Sequence, residues 1–199
     1  LPLLKALRDQ FPRAYIAWLV SPEFKDIIED NPYLDQVFLF HKERWGKPYR
    51  IPLTIKEFFS LIRQIQRQRF QMVIDVQGLF RSSIVAYFSR AHYRIGFDNA
   101  REFSPIFYNR KVPVPNLEVH AVDRYLSLIP GSKYRSPKPE FFLDIPEPVK
   151  DNIRHILQQN QIDLNKDIFL LNPGAKWSTK RWPAKNYAHL AQCLYDQFG

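Results

Sequence analysis

The chain has 199 residues, of which 45% are hydrophobic and 15% aromatic, enough to form the core of one domain or slightly more. It contains no run of eighteen apolar residues, so no transmembrane helix is predicted, and its single cysteine excludes an internal disulfide framework. The formal net charge of +9 favours an anionic partner such as nucleic acid, an anionic lipid or a phosphorylated small molecule.

Buried strands and amphipathic helices alternate along the chain. Apolar residues recur at helical spacing over residues 1–11, the run 14–20 is continuously apolar, and Ser21 followed by Pro22 is typical of a helix start. The same patterns predict further strands at 36–40, 71–75, 93–97 and 168–171, and helices at 54–69, 79–90, 117–129, 148–160 and from Pro183 onward. This alternation predicts an α/β fold with a parallel sheet covered on both faces.

Ligands of such sheets bind beyond the carboxyl ends of the strands, which directs attention to the loops that follow them. The loop after 36–40 carries four cations around Trp45, a pattern that suits a phosphate-bearing or membrane-surface ligand as well as a plain solvated loop. Asp75 and Gln77 follow the strand at 71–75. A polar ligand or hydrogen bonds from neighbouring amides would satisfy Asp75 there.

Two later segments are also rich in charge. The loop 99–115 carries Arg101 and Arg110, which would contact an anion or pair with nearby acids. The turn 172–183, with the sequence NPGAKWSTKRWP, places a glycine and three cations between a predicted strand and a helix, where backbone amides attract phosphate. It lacks the spacing of a Walker A loop, and a solvated turn with its two tryptophans packed on the sheet is the alternative.

Histidines give no sign of a metal site. His120 lies near the start of a predicted helix, where a capping role is expected, and His189 lies one turn before Cys193 without a third ligand. We therefore expect no metal and no cofactor.

The order of elements indicates more than one domain. The chain begins and ends with helices, and the strand, turn and helix at 167–198 have the pattern of the first unit of a second sheet. We expect a piece of a two-domain protein; a complete small domain with helical ends is the alternative.

Taken together, six motifs resemble those of glycosyltransferase family 9, the lipopolysaccharide heptosyltransferases, and most of all its heptosyltransferase I branch. The motifs are DVQGLFRSS (75–83), RIGFD (94–98), ARE (100–102), FYNRK (107–111), HAVDR (120–124) and NPGAKWSTKRWP (172–183). The resemblance covers nearly the whole chain.

This resemblance implies a GT-B fold, in which two Rossmann-like domains face each other across a cleft. Residues 1–147 would form the acceptor-binding domain, and 148–199 the linker helix and the start of the nucleotide-sugar domain. Family members begin with a strand and a turn that carries the aspartate general base, both expected upstream of Leu1. The diphosphate loop is expected beyond residue 199.

The implied reaction is an inverting, metal-independent transfer of a heptose or related sugar from an ADP-sugar to an anionic glycolipid of the lipopolysaccharide core. The family pattern assigns leaving-group stabilisation to Lys180 and donor contacts to Gly174, Ala175, Thr179 and Lys180. It assigns acceptor contacts to Arg44, Lys47, Arg110 and Gln77. Heptosyltransferase I has a further arginine where this chain has Gly46, which leaves the identity of the acceptor open.

Two other functions remain open from the sequence. One is a transferase of the same fold that uses another nucleotide-sugar for capsule or exopolysaccharide, and the other is a basic nucleic-acid-binding module. For the transferase we expect a monomer in the cytoplasm, at the inner face of the bacterial inner membrane, with no nucleic-acid partner.

Overall fold

The computed structural model describes residues 1–41, 51–114, 119–131, 140–175 and 177–198. The chain divides into two compact units, Leu1–Asp144 and Ile145–Gly199. No helix in the described ranges is long and apolar enough to cross a membrane.

The first unit contains two small sheets in which every neighbouring pair of strands is parallel. In one, β1 (Ala17–Val20) pairs with β2 (Gln36–Leu39), with Ala17 opposite Gln36. The other has the order β3 (Met72–Ile74), β4 (Tyr93–Phe97), β5 (Arg110–Val112). The parallel arrangement confirms the prediction, although the described strands form two sheets and not one.

Helices alternate with these strands as the apolar periodicity predicts. The α-helices of the first unit are α1 (Pro2–Gln10), α2 (Ile51–Arg67), α3 (Phe80–Phe88) and α4 (Ala121–Leu126), and short 3₁₀ helices cover Pro22–Ile27 and Ser104–Phe107. Proline at the first turn of α1 fits there because no intrahelical bond needs its missing amide.

Among the residues that the structure describes, side chains from the helices and strands form three buried clusters. The largest joins Phe38 of β2 to Leu61, Ile62 and Ile65 of α2 and to Val85 of α3. Two others are built from α1 with α4 and from β4 with the segment after α4. Full burial of one such side chain stabilises the fold by about 1.5–3 kcal/mol.

A cavity of about 860 Å³ separates the two sheets. It is lined by residues 14–21, which include β1, and by residues 70–77, which include β3. Side chains of α1, among them Leu3 and Leu7, and of α3 complete its wall. In the described sheets, β1 pairs only with β2, and β3 pairs only with β4. The other edge of β1 and the other edge of β3 therefore face the cavity without a hydrogen-bonded neighbour.

The second unit contains α5 (Glu147–Gln159), a 3₁₀ turn at Ser178–Lys180 and α6 (Ala184–Phe198). The strand predicted at 168–171 is not formed, and Leu170 is 91% exposed. A strand needs a hydrogen-bonding neighbour, and the described part of this unit supplies none.

Three further predictions need correction. The helix predicted after Ser21 is a 3₁₀ helix, and Ser21 makes no side-chain cap bond. The nearly continuous apolar composition of 79–90 predicts a helix that is buried all round, whereas α3 exposes Tyr87 on one side. The loop predicted at 99–115 contains β5, whose three residues are too few to produce a readable alternation.

Candidate functional site

The turn after β3 is organised by a buried carboxylate. Asp75 is only 5% exposed. Its Oδ1 accepts hydrogen bonds from the amides of Gln77 at 2.9 Å and Gly78 at 3.0 Å, and its Oδ2 accepts one from the Tyr108 hydroxyl at 2.7 Å. Of the two alternatives left open by the sequence, satisfaction by neighbouring amides is the one found. Asp75 shapes the turn, and Gln77 is left exposed at its outer side.

Gly78 lets a second loop approach this turn. Its φ of 64° lies in the left-handed region, and an added Cβ would lie 3.1 Å from the Cβ of Ala100. The Gly78 carbonyl accepts a hydrogen bond from the amide of Arg101 at 3.0 Å. The motifs at 75–83 and 100–102, far apart in sequence, therefore form one structure.

The ring of Tyr108 lies directly against the backbone of β4. A Cβ built on Gly96 would be 2.3 Å from Cε2 of that ring, so only glycine leaves room for it. Burial, together with the Asp75 carboxylate, raises the pKa of Tyr108 above its usual range. Its hydroxyl therefore stays protonated and remains a donor to Asp75 at neutral pH.

Glu102 connects the second loop to the start of α3. Its Oε2 accepts a hydrogen bond from the Phe80 amide at 3.0 Å, where the helix leaves amides without intrahelical partners. The hydroxyls of Ser82 and Ser83 donate to the carbonyls of Leu79 and Phe80, at 2.9 and 3.0 Å. These two serines therefore satisfy the backbone locally.

The structure describes two of the predicted acceptor residues, Gln77 and Arg110, and places them apart. Gln77 lies at the carboxyl end of β3, where Arg81 Nε approaches its Oε1 at 3.5 Å. The guanidinium carbon of Arg110 lies 5.7 Å from the ring centroid of Tyr93, the first residue of β4, and so points toward the opposite end of the sheet. Arg44 and Lys47 lie outside the described residues, as does Gly46.

A capping role for His120 is confirmed. Its Nδ1 accepts a hydrogen bond from the Val122 amide at 3.3 Å, at the start of α4. Within the described ranges no group of three His, Cys, Asp or Glu side chains could hold a metal ion.

In the second unit, the turn at 172–183 is held by its own polar groups. Asn172 Oδ1 accepts from the Gly174 amide at 3.0 Å, and Arg181 Nε donates to the Ala175 carbonyl at 2.7 Å. The Tyr187 hydroxyl donates to the Asn172 carbonyl at 3.3 Å, which ties the turn to α6. The Gly174 amide and the Arg181 guanidinium thus support the shape of the turn.

Lys180 and Thr179 lie on the exposed 3₁₀ segment that leads into α6. No acid in the described part of the chain pairs with the Lys180 ammonium. Its amide donates to the Trp177 carbonyl at 3.0 Å, which fixes the backbone that carries the charge. An exposed, unpaired ammonium on an ordered turn is suited to contact an anion. Lys176 lies outside the described residues.

Sequence reasoning missed Tyr108, Gly96 and Glu102 as members of the site's framework. Each acts through a partner on another element, so no local pattern marks it. The one signal was their position inside the RIGFD, ARE and FYNRK motifs.

Residues 58–198 match the model of glycosyltransferase family 9 (heptosyltransferase), which covers more than half of the chain. The chain belongs to glycosyltransferase family 9. Among family 9 relatives, lipopolysaccharide heptosyltransferase 1 from Campylobacter coli is 26% identical over 191 residues, which are 92% of this chain and 52% of the relative. The protein of the same name from Escherichia coli K12 is 25% identical over 98% of this chain and 60% of the relative.

Solved family 9 structures share the fold. A glycosyltransferase family 9 protein from Veillonella parvula aligns with a TM-score of 0.82 at 19% identity, over 99% of this chain and 55% of that one. The Escherichia coli heptosyltransferase WaaC with ADP-2-deoxy-2-fluoro heptose aligns with a TM-score of 0.73 at 24% identity, over 98% and 61%. These alignments confirm the predicted α/β fold of GT-B type. The chain spans roughly half to three fifths of the length of these relatives.

Proposed function

We propose that the full-length protein to which this chain belongs is an inverting, metal-independent glycosyltransferase. It would transfer a heptose or related sugar from an ADP-sugar to an anionic glycolipid of the lipopolysaccharide core. Family membership supports this proposal, and the single observation that carries it is the exposed Lys180 ammonium, without an acid partner among the described residues, on the ordered turn before α6. The 199-residue chain alone is expected to be inactive, because it spans only about half to three fifths of the length of its relatives.

In this mechanism, an acceptor hydroxyl attacks the anomeric carbon of the donor. The bond from that carbon to the diphosphate oxygen breaks as the new glycosidic bond forms, and the hydroxyl proton passes to an aspartate upstream of Leu1. Negative charge develops on the leaving diphosphate. Lys180 would stabilise that charge, since no metal is proposed to do so.

The remaining predicted residues keep their proposed roles. Gly174, Ala175 and Thr179 would contact the donor. Gln77 is exposed beside the Asp75 turn and would contact the acceptor. Arg110, Arg44 and Lys47 would contact its phosphates.

Because the proposed acceptor is a membrane lipid, the enzyme would act at a membrane surface. The enzyme would act as a monomer on the cytoplasmic face of the inner membrane, attracted by anionic headgroups. Each cation close to such a surface contributes about 1 kcal/mol.

The donor class is tested by turnover of the full-length protein with a panel of ADP- and UDP-sugars, with and without EDTA. We expect turnover with an ADP-sugar that EDTA leaves unchanged. Turnover with a UDP-sugar alone would favour the capsule or exopolysaccharide transferase, and loss of activity in EDTA would contradict metal independence. Salt-sensitive RNA binding without turnover of any sugar would favour the nucleic-acid module.

The Lys180→Ala variant tests whether the exposed Lys180 ammonium stabilises the leaving group. We expect kcat to fall by about a hundredfold to a thousandfold, because one charge-stabilising donor is removed from the transition state. The matched control is Lys185→Ala, which removes an exposed lysine in the first turn of α6. Equal activity of the two variants, with folding confirmed by circular dichroism, would remove Lys180 from the mechanism.

A further inference from the structure

The β4–β5 loop, residues 98–109, displays two apolar side chains to solvent. Phe103 is 83% exposed and Ile106 is 71% exposed. Between them Ser104 is completely buried, and Tyr108 further on is 5% exposed. The loop therefore turns its polar Ser104 inward and the apolar Phe103 and Ile106 outward, which reverses the usual order of burial at these three positions.

This exposure is imposed by a well-anchored backbone. The Ser104 hydroxyl and amide both donate to the Arg101 carbonyl, at 2.6 and 3.0 Å. The Arg101 amide donates to Gly78, and Glu102 accepts from Phe80. These bonds anchor the backbone immediately before and after Phe103.

Two adjacent residues of the loop adopt a left-handed backbone conformation without being glycine. The φ angles are 54° for Glu102 and 60° for Phe103. Such angles are unusual for a bulky residue, and backbone strain of this kind is concentrated at functional sites. Here the strained pair is the part of the chain that directs the Phe103 ring outward.

The two side chains belong to a wider apolar surface with basic surroundings. Phe80 and Tyr87 are half exposed, and each packs edge-on against Phe107 with ring centroids 5.7 Å apart. Of the cations in this part of the chain, Arg101 belongs to the loop itself and Arg81 to the first turn of α3, next to Phe80, whereas Arg110 points toward the opposite end of the sheet. Aromatic and aliphatic groups beside arginines are the composition of an interfacial membrane anchor.

We propose that the tip of the β4–β5 loop, Phe103 with Ile106, inserts into the surface of a bilayer that contains anionic lipids. This inference rests on the proposed function, since it names the surface by which the enzyme reaches a membrane-embedded acceptor. A lipid partner fits because the apolar tip would enter the acyl region while Arg81 and Arg101, on the neighbouring backbone, would meet anionic headgroups.

Insertion at this point would bring the Asp75 turn to the membrane. The Arg101 amide and the Gly78 carbonyl join the loop directly to that turn. Gln77, which precedes Gly78, would then lie at headgroup level. A glycolipid could present its sugar to the enzyme while its acyl chains stay in the bilayer.

The test uses a double variant of the full-length protein, Phe103→Asn with Ile106→Gln. Asparagine tolerates a left-handed backbone better than most residues, so the loop keeps its conformation while its apolar tip is removed. Ile27→Gln makes the same change as Ile106→Gln on another exposed isoleucine, 51% exposed on the first 3₁₀ helix. Phe103→Trp keeps an interfacial aromatic side chain.

Binding is measured by co-sedimentation with vesicles of phosphatidylethanolamine containing 30% phosphatidylglycerol, and with pure phosphatidylcholine vesicles. We expect the unmodified protein, Ile27→Gln and Phe103→Trp to bind the anionic vesicles. The double variant should bind about tenfold to a hundredfold more weakly, since it loses the burial of one or two apolar side chains. Turnover on a deacylated, water-soluble acceptor should be the same for all four proteins.

Vesicle binding by the double variant equal to that of Ile27→Gln would overturn the proposal, as would absence of binding by the unmodified protein. Dissociation of an oligomer in the double variant would assign the surface to a second copy. A large fall in melting temperature without any change in vesicle binding would mean that other parts of the full-length protein cover Phe103 and Ile106. Either the dissociation of an oligomer or this loss of thermal stability would overturn the proposal. Normal vesicle binding without sugar transfer would instead count against the proposed function alone.

Discussion

Tyr108 carries the hydrogen bond on which the framework of the candidate site depends. Its hydroxyl lies 2.7 Å from Asp75 Oδ2, and both residues are only 5% exposed. The other carboxylate oxygen of Asp75 accepts two amides and so forms the turn. Removal of the hydroxyl would leave one oxygen of a buried carboxylate without this donor. The loss of a hydrogen bond to a buried charged group lowers the free energy of unfolding more than the loss of one between neutral groups.

Tyr108→Phe is therefore expected to lower the free energy of unfolding by about 1.5–3 kcal/mol at pH 7. Urea unfolding monitored by circular dichroism measures this difference. The Asp75→Asn variant provides a comparison, because it keeps the shape of the side chain while removing its charge. A loss below about 0.5 kcal/mol for Tyr108→Phe would show that the hydroxyl does not support the turn.

The same pair predicts a pH dependence on the alkaline side. The pKa of Tyr108 is raised in the folded state, so the folded chain holds a proton that the unfolded chain releases near its ordinary pKa of about 10. The stability contributed by this proton is complete below pH 10 and is lost as the pH rises toward the folded pKa. The stability difference between the unmodified protein and Tyr108→Phe should thus shrink as the pH rises from about 10 to 11.5. A constant difference across that range would contradict this explanation.

At the scale of elements, β4 accepts the Tyr108 ring because Gly96 has no side chain. A Cβ there would be within 2.6 Å of three ring atoms. We expect Gly96→Ala to lower the free energy of unfolding by about 1–3 kcal/mol, as overpacking of a core does. In a Tyr108→Ala background the ring is absent, and the same substitution should cost little. A double-mutant cycle of urea unfolding measures the coupling, and equal costs in both backgrounds would disprove the contact.

Some helices and strands can be predicted from their own residues, whereas other features depend on partners that are distant in sequence. The strand β4 coincides with its predicted range, 93–97, although the segment includes Arg94, because it pairs with a strand on each side. The run at 168–171 is more apolar, but the described part of its unit contains no neighbouring strand, so its pattern alone does not form a strand. Asp75 could be identified as a polar residue after a strand, whereas its partner Tyr108, 33 residues later, follows only from the approach of the two loops.

Whole-molecule features depend on how the sheets combine. Placed between β1 and β3, one added parallel strand would join the two sheets into a single six-stranded sheet with the added strand near its centre. With α1 as the connection, the added strand and β1 would form a βαβ unit, a connection that is right-handed in nearly all known proteins. Leu3 and Leu7 of α1 line the cavity, so the chain that enters α1 lies close to this position.

We predict that, in the full-length protein, residues upstream of Leu1 form this strand in the cavity of about 860 Å³. The strand would pair with the free edges of β1 and β3, and its carboxyl end would lie beside the Asp75 turn. The aspartate proposed above as general base would then lie close to Gln77. A strand in this cavity would therefore both stabilise the fold, by joining the two sheets, and complete the site, by placing the general base.

The prediction is tested by hydrogen exchange of the chain extended by its natural upstream residues. Amides of Ala17–Val20 and Met72–Ile74 that face the cavity should exchange at least about a hundredfold more slowly than in the 199-residue chain, because they gain partners protected by the sheet. An extension of equal length with its residues scrambled is the control, since an added tail alone protects nothing. Equal exchange in the natural and scrambled chains would mean that the upstream residues leave the cavity unfilled and that the two sheets stay separate.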